Sequence, residues 1–226
     1  MPELSPLIIS LQTTVVATVI TFALGLFAAH RVARMRRFKG FIDGLFTLPM
    51  VLPPTVVGFF LLLMLGKNSP FGKLLQLFDT TVVFTWGSTV IAAVVVSFPL
   101  MYRTVRGAFE QLDPNLVYAA RTLGMSETRI FWQIIVPNSW SGIAAGTVLS
   151  FSRALGEFGA TMMIAGNIPG RTQTMSTAIY TAVQSGNRAA AYQWVAIILA
   201  ISLISMLMMN RWSSKAAKGA QRMVES

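Results

Sequence analysis

The sequence predicts an all-α integral membrane protein with five transmembrane helices, the N-terminus outside, the C-terminus inside, and a cytoplasmic loop of two short helices. Three observations carry this prediction. Hydrophobic residues make up 54 % of the 226 residues and charged ones 12 %, against about 45–50 % and about 25 % in soluble domains. Mean hydropathy is +0.63. Five long windows are nearly free of charge, and apolar windows of about 18 residues or more can cross a bilayer. Lys and Arg gather in alternate connections: thirteen lie in segments assigned inside, four in those assigned outside, and Arg153 lies within a span. That bias is the positive-inside signal, and it also accounts for the net charge of +10 without invoking nucleic acid. No basic run precedes the first apolar window, so that window is expected to be a retained anchor rather than a cleaved signal.

The transmembrane domain is expected over residues 7–210, followed by a basic cytoplasmic tail, 211–226. The first span, about 7–29, carries Gln12, Thr13, Thr14, Thr18 and Thr21, which suit hydrogen bonding between helices of a bundle. The cluster Arg31, Arg34, Arg36, Arg37 and Lys39 follows it and is read only as a topological signal. The second span, about 44–66, holds Pro49, Pro53 and Pro54. Proline removes a donor and clashes with the preceding turn, so this helix is expected to be kinked or interrupted. Broken helices in transporters expose backbone dipoles to polar cargo, which makes Pro53, Pro54 and Thr55 candidates for lining a translocation path. A kink for packing alone is the other reading.

The third span, about 82–101, ends before Arg103 and Arg106. The loop 103–138 follows. Asp113-Pro114 starts a helix with Asp as N-cap and Pro at the first position. Gly124 suits its stop, Ser126 a second N-cap, and Pro137 the end of the second helix. The run Ile130-Phe131-Trp132 with Ile134-Ile135 is too apolar for a free loop and should bury against something. The fourth span, about 140–166, contains Gly142 and Gly146, a spacing that lets helices approach closely. It also contains Arg153 and Glu157, which share a helix face at i,i+4 and can pair. Neither belongs against lipid. The fifth span is about 189–210.

No Gly-x-x-x-x-Gly-Lys-Ser/Thr is present, so ATP cannot bind through a P-loop and its energy would come from another subunit. Zero cysteines and a single histidine, His30, leave no thiolate or His-rich metal site. Glu157 stands without an intramembrane His or Asp partner, which argues against an intramembrane protease or proton relay. Pattern and charge leave two classes open. One is the membrane half of a multi-subunit transporter; the other is a channel-like or assembly protein without an ATPase partner.

The loop favours the first by resemblance, with the channel-like or assembly protein kept as the alternative. Ala119, Ala120, Gly124, Ile134 and Pro137 fall at the spacing of the Glu-Ala-Ala…Gly…Ile-x-Leu-Pro loop, which resembles that of bacterial type I ABC-importer permeases. Tyr118 stands where the pattern has glutamate, and Val136 where it has leucine. Phe151 to Thr161, including Arg153 and Glu157, resembles the molybdate, tungstate and sulfate branch of that family. So does Leu48 to Gly58. Asn167 to Thr174 with Ala178 to Thr181 is most similar to its molybdate members. The resemblance implies two copies of this permease, two cytoplasmic ATPase subunits that use ATP and Mg, and an external oxyanion-binding protein. It places the complex in a bacterial inner or plasma membrane, with no cofactor bound by this chain. It makes Tyr118, Ala119, Ala120, Gly124, Trp132, Ile134 and Pro137 the ATPase-coupling set. The runner-up cargo is sulfate or tungstate.

Overall fold

The computed structural model describes residues 4–224 apart from 36 and 79, with side chains described as far as Met208. Among the described residues the chain is helical, with no strand. The frame is three helices: α1 (Ser5–Ala33), α5 (Trp86–Glu110) and α9 (Trp140–Leu155). Hydroxyls on α1 settle its pairing. Thr13 bonds Thr89 at 2.9 Å, and Thr21 bonds Ser97 at 3.2 Å. The register advances equally on both helices, so α1 and α5 run parallel. In hydrocarbon such groups have no water to turn to, and each interhelical bond contributes about 0.6–2 kcal/mol. Thr18 instead donates to the carbonyl of Thr14 on its own helix, at 2.7 Å.

α9 packs against α5 in the opposite direction through its small residues. A Cβ on Gly142 would sit 2.3 Å from the Ala108 Cβ, and one on Gly146 3.1 Å from the Met101 sulfur. The two glycines thus do what their spacing predicted. Tyr102, Met101 and Val105 are buried between α5, the end of α1 and the start of α9.

Several boundaries differ from expectation. The second span, expected to be kinked or interrupted, is two separate helices. It is α2 (Lys39–Val51) and α3 (Pro54–Leu65), bent by 111° at Leu52-Pro53. Neither Pro53 nor Pro54 can donate to the carbonyls of Pro49 and Met50, so the helix cannot continue through them. The third span begins at Trp86 and continues to Glu110, carrying Arg103 and Arg106 on a helix rather than in a loop. The fourth is also broken: α9 stops at Leu155, and a short α10 (Gly159–Ile164) follows Gly156, Glu157 and Phe158.

The connections after α3 and after α10 each contain a helix, α4 (Pro70–Gln76) and α11 (Met175–Gln184). Thr174 and Thr177 form a capping box on α11, and the Met175 N–H donates to Ser10 Oγ at 2.8 Å. That bond ties α11 to the start of α1. The last helix, α12 (Arg188–Val224), runs on through most of the expected tail. Residues 225 and 226, and the tail side chains, lie outside the described residues. Among the described residues, three helices are long and apolar enough to cross a membrane, or up to five if each bent pair counts as one.

Candidate functional site: a coupling segment and two facing helix breaks

The segment after α5 forms as its residues dictate. Asp113 Oδ1 accepts from the Asn115 N–H at 2.9 Å, Pro114 takes the first helical position, and α6 runs Pro114–Thr122. It stops in a Schellman turn. The Gly124 N–H donates to the Arg121 carbonyl at 3.0 Å and the Met125 N–H to the Ala120 carbonyl at 3.1 Å. This closure needs a left-handed residue after the cap, and Gly124 has φ +77°. Nothing lies within 4 Å of where its Cβ would be, so backbone conformation, not crowding, demands glycine there.

Ser126 Oγ accepts from the Arg129 N–H and starts a second rod. The rod comprises α7 (Glu127–Ile130), a π turn (Phe131–Ile135) and α8 (Val136–Asn138). The wide turn lies just before Pro137, whose ring would clash with the carbonyl four residues back in a regular helix. The rod then meets α9 at 75°.

The segment has two faces. Ala120, Ile130 and Ile135 are buried against Val32, Val105 and Phe109. Tyr118 (59 % exposed), Leu123 (82 %) and Trp132 (58 %) point outward. The apolar run thus divides: Ile130 and Ile135 anchor it, and Trp132 stays exposed. Ile134 is half-buried, while Ala119, Gly124 and Pro137 are exposed.

Charges fasten this segment to the rest of the chain. Arg121 Nε donates to Glu127 Oε1 at 2.7 Å, and Arg34 Nη2 lies 2.7 Å from Glu127 Oε2. These hydrogen bonds hold the Glu127 carboxyl below its ordinary range, the Arg121 bond first. Arg106 pairs with Asp43 and, at 2.8 Å, with Glu110, which Lys39 also meets at 2.8 Å. Between α1, α5 and α6 lies a groove of about 340 Å³ bordered by His30, Arg34, Tyr118 and Arg121. The basic cluster after α1 therefore does more than set topology: Arg34 and Lys39 join in ion pairs that no local pattern announces. Arg36 lies outside the described residues.

The second locus is where the broken helices meet. A Cβ on Gly58 of α3 would be 2.7 Å from Ala160 Cα of α10. One on Gly159 would be 3.1 Å from both Pro54 Cβ and the Thr55 nitrogen. The break at Pro53-Pro54-Thr55 is thus pressed against the start of α10. Pro53 and Thr55 are exposed there and Pro54 is half-buried. Glu157, 3 % exposed, accepts from the Ala160 N–H at 2.8 Å and lies 2.6 Å from Arg153 Nη1. The Arg153 side chain keeps 31 % of its surface exposed. So the two separate candidate sets, the proline break and the ion pair, occupy neighbouring turns. Among the described residues no group of His, Asp or Glu is arranged to hold a metal ion.

The helical bundle thus carries two breaks at its heart and an exposed, capped segment at one end. The chain belongs to the family of binding-protein-dependent transport system inner membrane components, whose profile matches residues 21–218. It is a multi-pass permease subunit of that family. It is 43 % identical to YvgM of Bacillus subtilis (strain 168) over 209 residues, 92 % of each chain. It is 40 % identical to the molybdenum transport system permease protein ModB of Escherichia coli (strain K12) over 220 residues, 96 % of each. The sulfate transport system permease protein CysT of Escherichia coli (strain K12) is 35 % identical over 92 % of this chain and 75 % of its own. The fold matches a chain of the MetNI methionine ABC transporter with TM-score 0.77 at 13 % identity, covering 96 % of this chain and 99 % of that one. It also matches a chain of a bacterial alginate ABC transporter with TM-score 0.78 at 14 % identity, covering 95 % and 80 %.

Proposed function

We propose that this chain is the permease of an ATP-driven molybdate importer. The observation that carries the cargo assignment is the 40 % identity with ModB along nearly the whole of both chains. In this reading the domain 7–210 crosses the bilayer five times, N-terminus outside, and two copies enclose the path. Two cytoplasmic ATPase subunits that bind ATP and Mg dock on Tyr118, Ala119, Ala120, Gly124, Trp132, Ile134 and Pro137. An external binding protein delivers the oxyanion.

Physical chemistry supports the division of labour. The chain lacks a P-loop, and the exposed Leu123 and Trp132 are apolar anchors of the kind that fill partner pockets. The Schellman closure at Gly124 keeps α6 and α7 in one geometry, so a push on the segment is passed on rather than absorbed. Pro53, Pro54 and Thr55 line the path, and the pair Arg153–Glu157 fixes the neighbouring break. A dianion is better passed along by hydroxyls and backbone N–H groups than by a free cation, which would slow its release.

The test is competition uptake in cells expressing the complete complex. Radiolabelled molybdate should enter in an ATP-dependent manner and be displaced by excess molybdate before sulfate. Preferential displacement by sulfate moves the assignment to the CysT-like reading, and preferential displacement by tungstate to a tungstate permease. Purification of the chain without any ATP-binding subunit, together with passive flux, would make it a channel-like protein instead.

A further inference from the structure

Glu127 is the only acidic residue between Pro114 and Asn138, and it does not face outward to await a partner. It is the first residue of α7, where a carboxylate suits the positive end of the helix. One oxygen accepts from Arg121 on α6 at 2.7 Å, and the other lies 2.7 Å from Arg34 at the end of α1. Beside it the His30 ring packs on Phe131 with centroids 4.2 Å apart, and Phe109 meets Phe131 at 6.2 Å. A single carboxylate therefore ties three elements together: both short helices of the segment and the first long helix. Apolar contacts through Ala120, Ile130 and Ile135 hold the same elements against α5 and α1, but such contacts are non-directional and allow sliding. The carboxylate fixes direction.

We propose that Glu127 is a positioning residue for energy coupling. It locks α6 to α7 and both to Arg34 of α1, so that displacement of the segment moves α1 together with α9. The proposal rests on the importer reading above. It gives the segment's carboxylate a role inside its own subunit, in a chain where the position of the family glutamate is held by Tyr118. The pairs are half-exposed, 38 % for Arg34 and 49 % for Glu127, and such pairs add little to stability. Their effect should therefore appear in coupling rather than in folding.

The experiment uses the assembled complex in proteoliposomes with the binding protein, reading molybdate uptake and ATP hydrolysis together. Glu127→Gln should lower molybdate taken up per ATP hydrolysed about fivefold, the low end of ordinary coupling free energies. Half-saturation for molybdate and recovery of the complex should be unchanged. Arg34→Gln, which leaves the Arg121 bond in place, should lower it less, and the double variant should be no worse than Glu127→Gln alone, as expected for residues acting as a unit. Glu127→Asp, which keeps the charge, should recover part of the ratio. An unchanged ratio in Glu127→Gln, or strictly additive losses in the double variant, overturns the proposal. Absence of ATP-dependent molybdate uptake by the unaltered complex fails the importer reading itself and takes this inference with it.

Discussion

The chain breaks its helices in two places, by opposite physical means. In the segment after α5 the interruptions are exposed and built from caps, a left-handed glycine and ion pairs in reach of water. At the junction of α3 with α10 they are built from prolines that stay partly exposed, buried glycines pressed against backbone, and one carboxylate with 3 % of its surface exposed. The first kind sets direction cheaply and is exposed to salt and pH. The second sets shape by excluded volume and tolerates almost no change. In the proposed importer the first would serve as a handle for the ATPase, and the second as a packed core around the path.

Changes at the buried junction should cost most. Glu157→Ala strips the Ala160 N–H and Arg153 of their acceptor. Breaking a buried pair in this way costs about 3 kcal/mol, the low end because Arg153 retains access to solvent. A fall in the thermal midpoint of the purified complex checks it. If a double swap of Arg153 and Glu157 keeps uptake, the pair is structural; if uptake is lost, Arg153 contacts the anion.

Gly58→Val comes next. Its Cβ would lie within 2.7–2.8 Å of Ala160 and Met163 atoms, and overpacking of this kind costs about 1–3 kcal/mol. Poor recovery of folded protein should accompany lost uptake. A variant that folds and transports normally would mean α3 and α10 can part freely, and the contrast drawn above would fall.

At the exposed end the effects should be smaller and of a different kind. Gly124→Val places a β-branched residue at φ +77°, costing about 1–2 kcal/mol of local strain. The chain should still fold, but uptake per ATP hydrolysed should drop. Normal coupling in that variant would remove the segment from the docking role.

Smallest of all is the charge tie. Because Glu127 has its carboxyl pKa lowered by Arg121 and Arg34, its contribution is fully present above the ordinary glutamate range. It is lost as pH falls through the lowered value. The thermal midpoints of the native protein and Glu127→Gln should therefore differ slightly at neutral pH and converge in acid. High salt should also close the gap.

Much of this was legible in the chain. Asp113, Pro114, Gly124 and Ser126 announced the two short helices, because capping depends on residues within one turn of each other. Gly142 and Gly146 announced a close helix approach, and Pro53 with Pro54 announced a break. The partners were not legible. Thr13 and Thr21 promised hydrogen bonds without naming Thr89 and Ser97, 76 residues away. Arg34 and Lys39 read as topology because charge counts register sign and side, not direction. The break after Leu155 was missed, since Arg153 and Glu157 fit i,i+4 pairing on one continuous helix while the backbone stops at Leu155.

By itself, then, the sequence determined the helical class, the membrane setting, the caps and the stops set by Pro53, Pro54 and Gly124. Those depend on hydropathy summed over a window, or on bonds between near neighbours. Only the tertiary structure decided that Gly58 and Gly159 press the two breaks together, and that Glu127 clasps Arg34 as well as Arg121. Such pairings depend on how helices remote in sequence are brought side by side, and no local pattern carries that information.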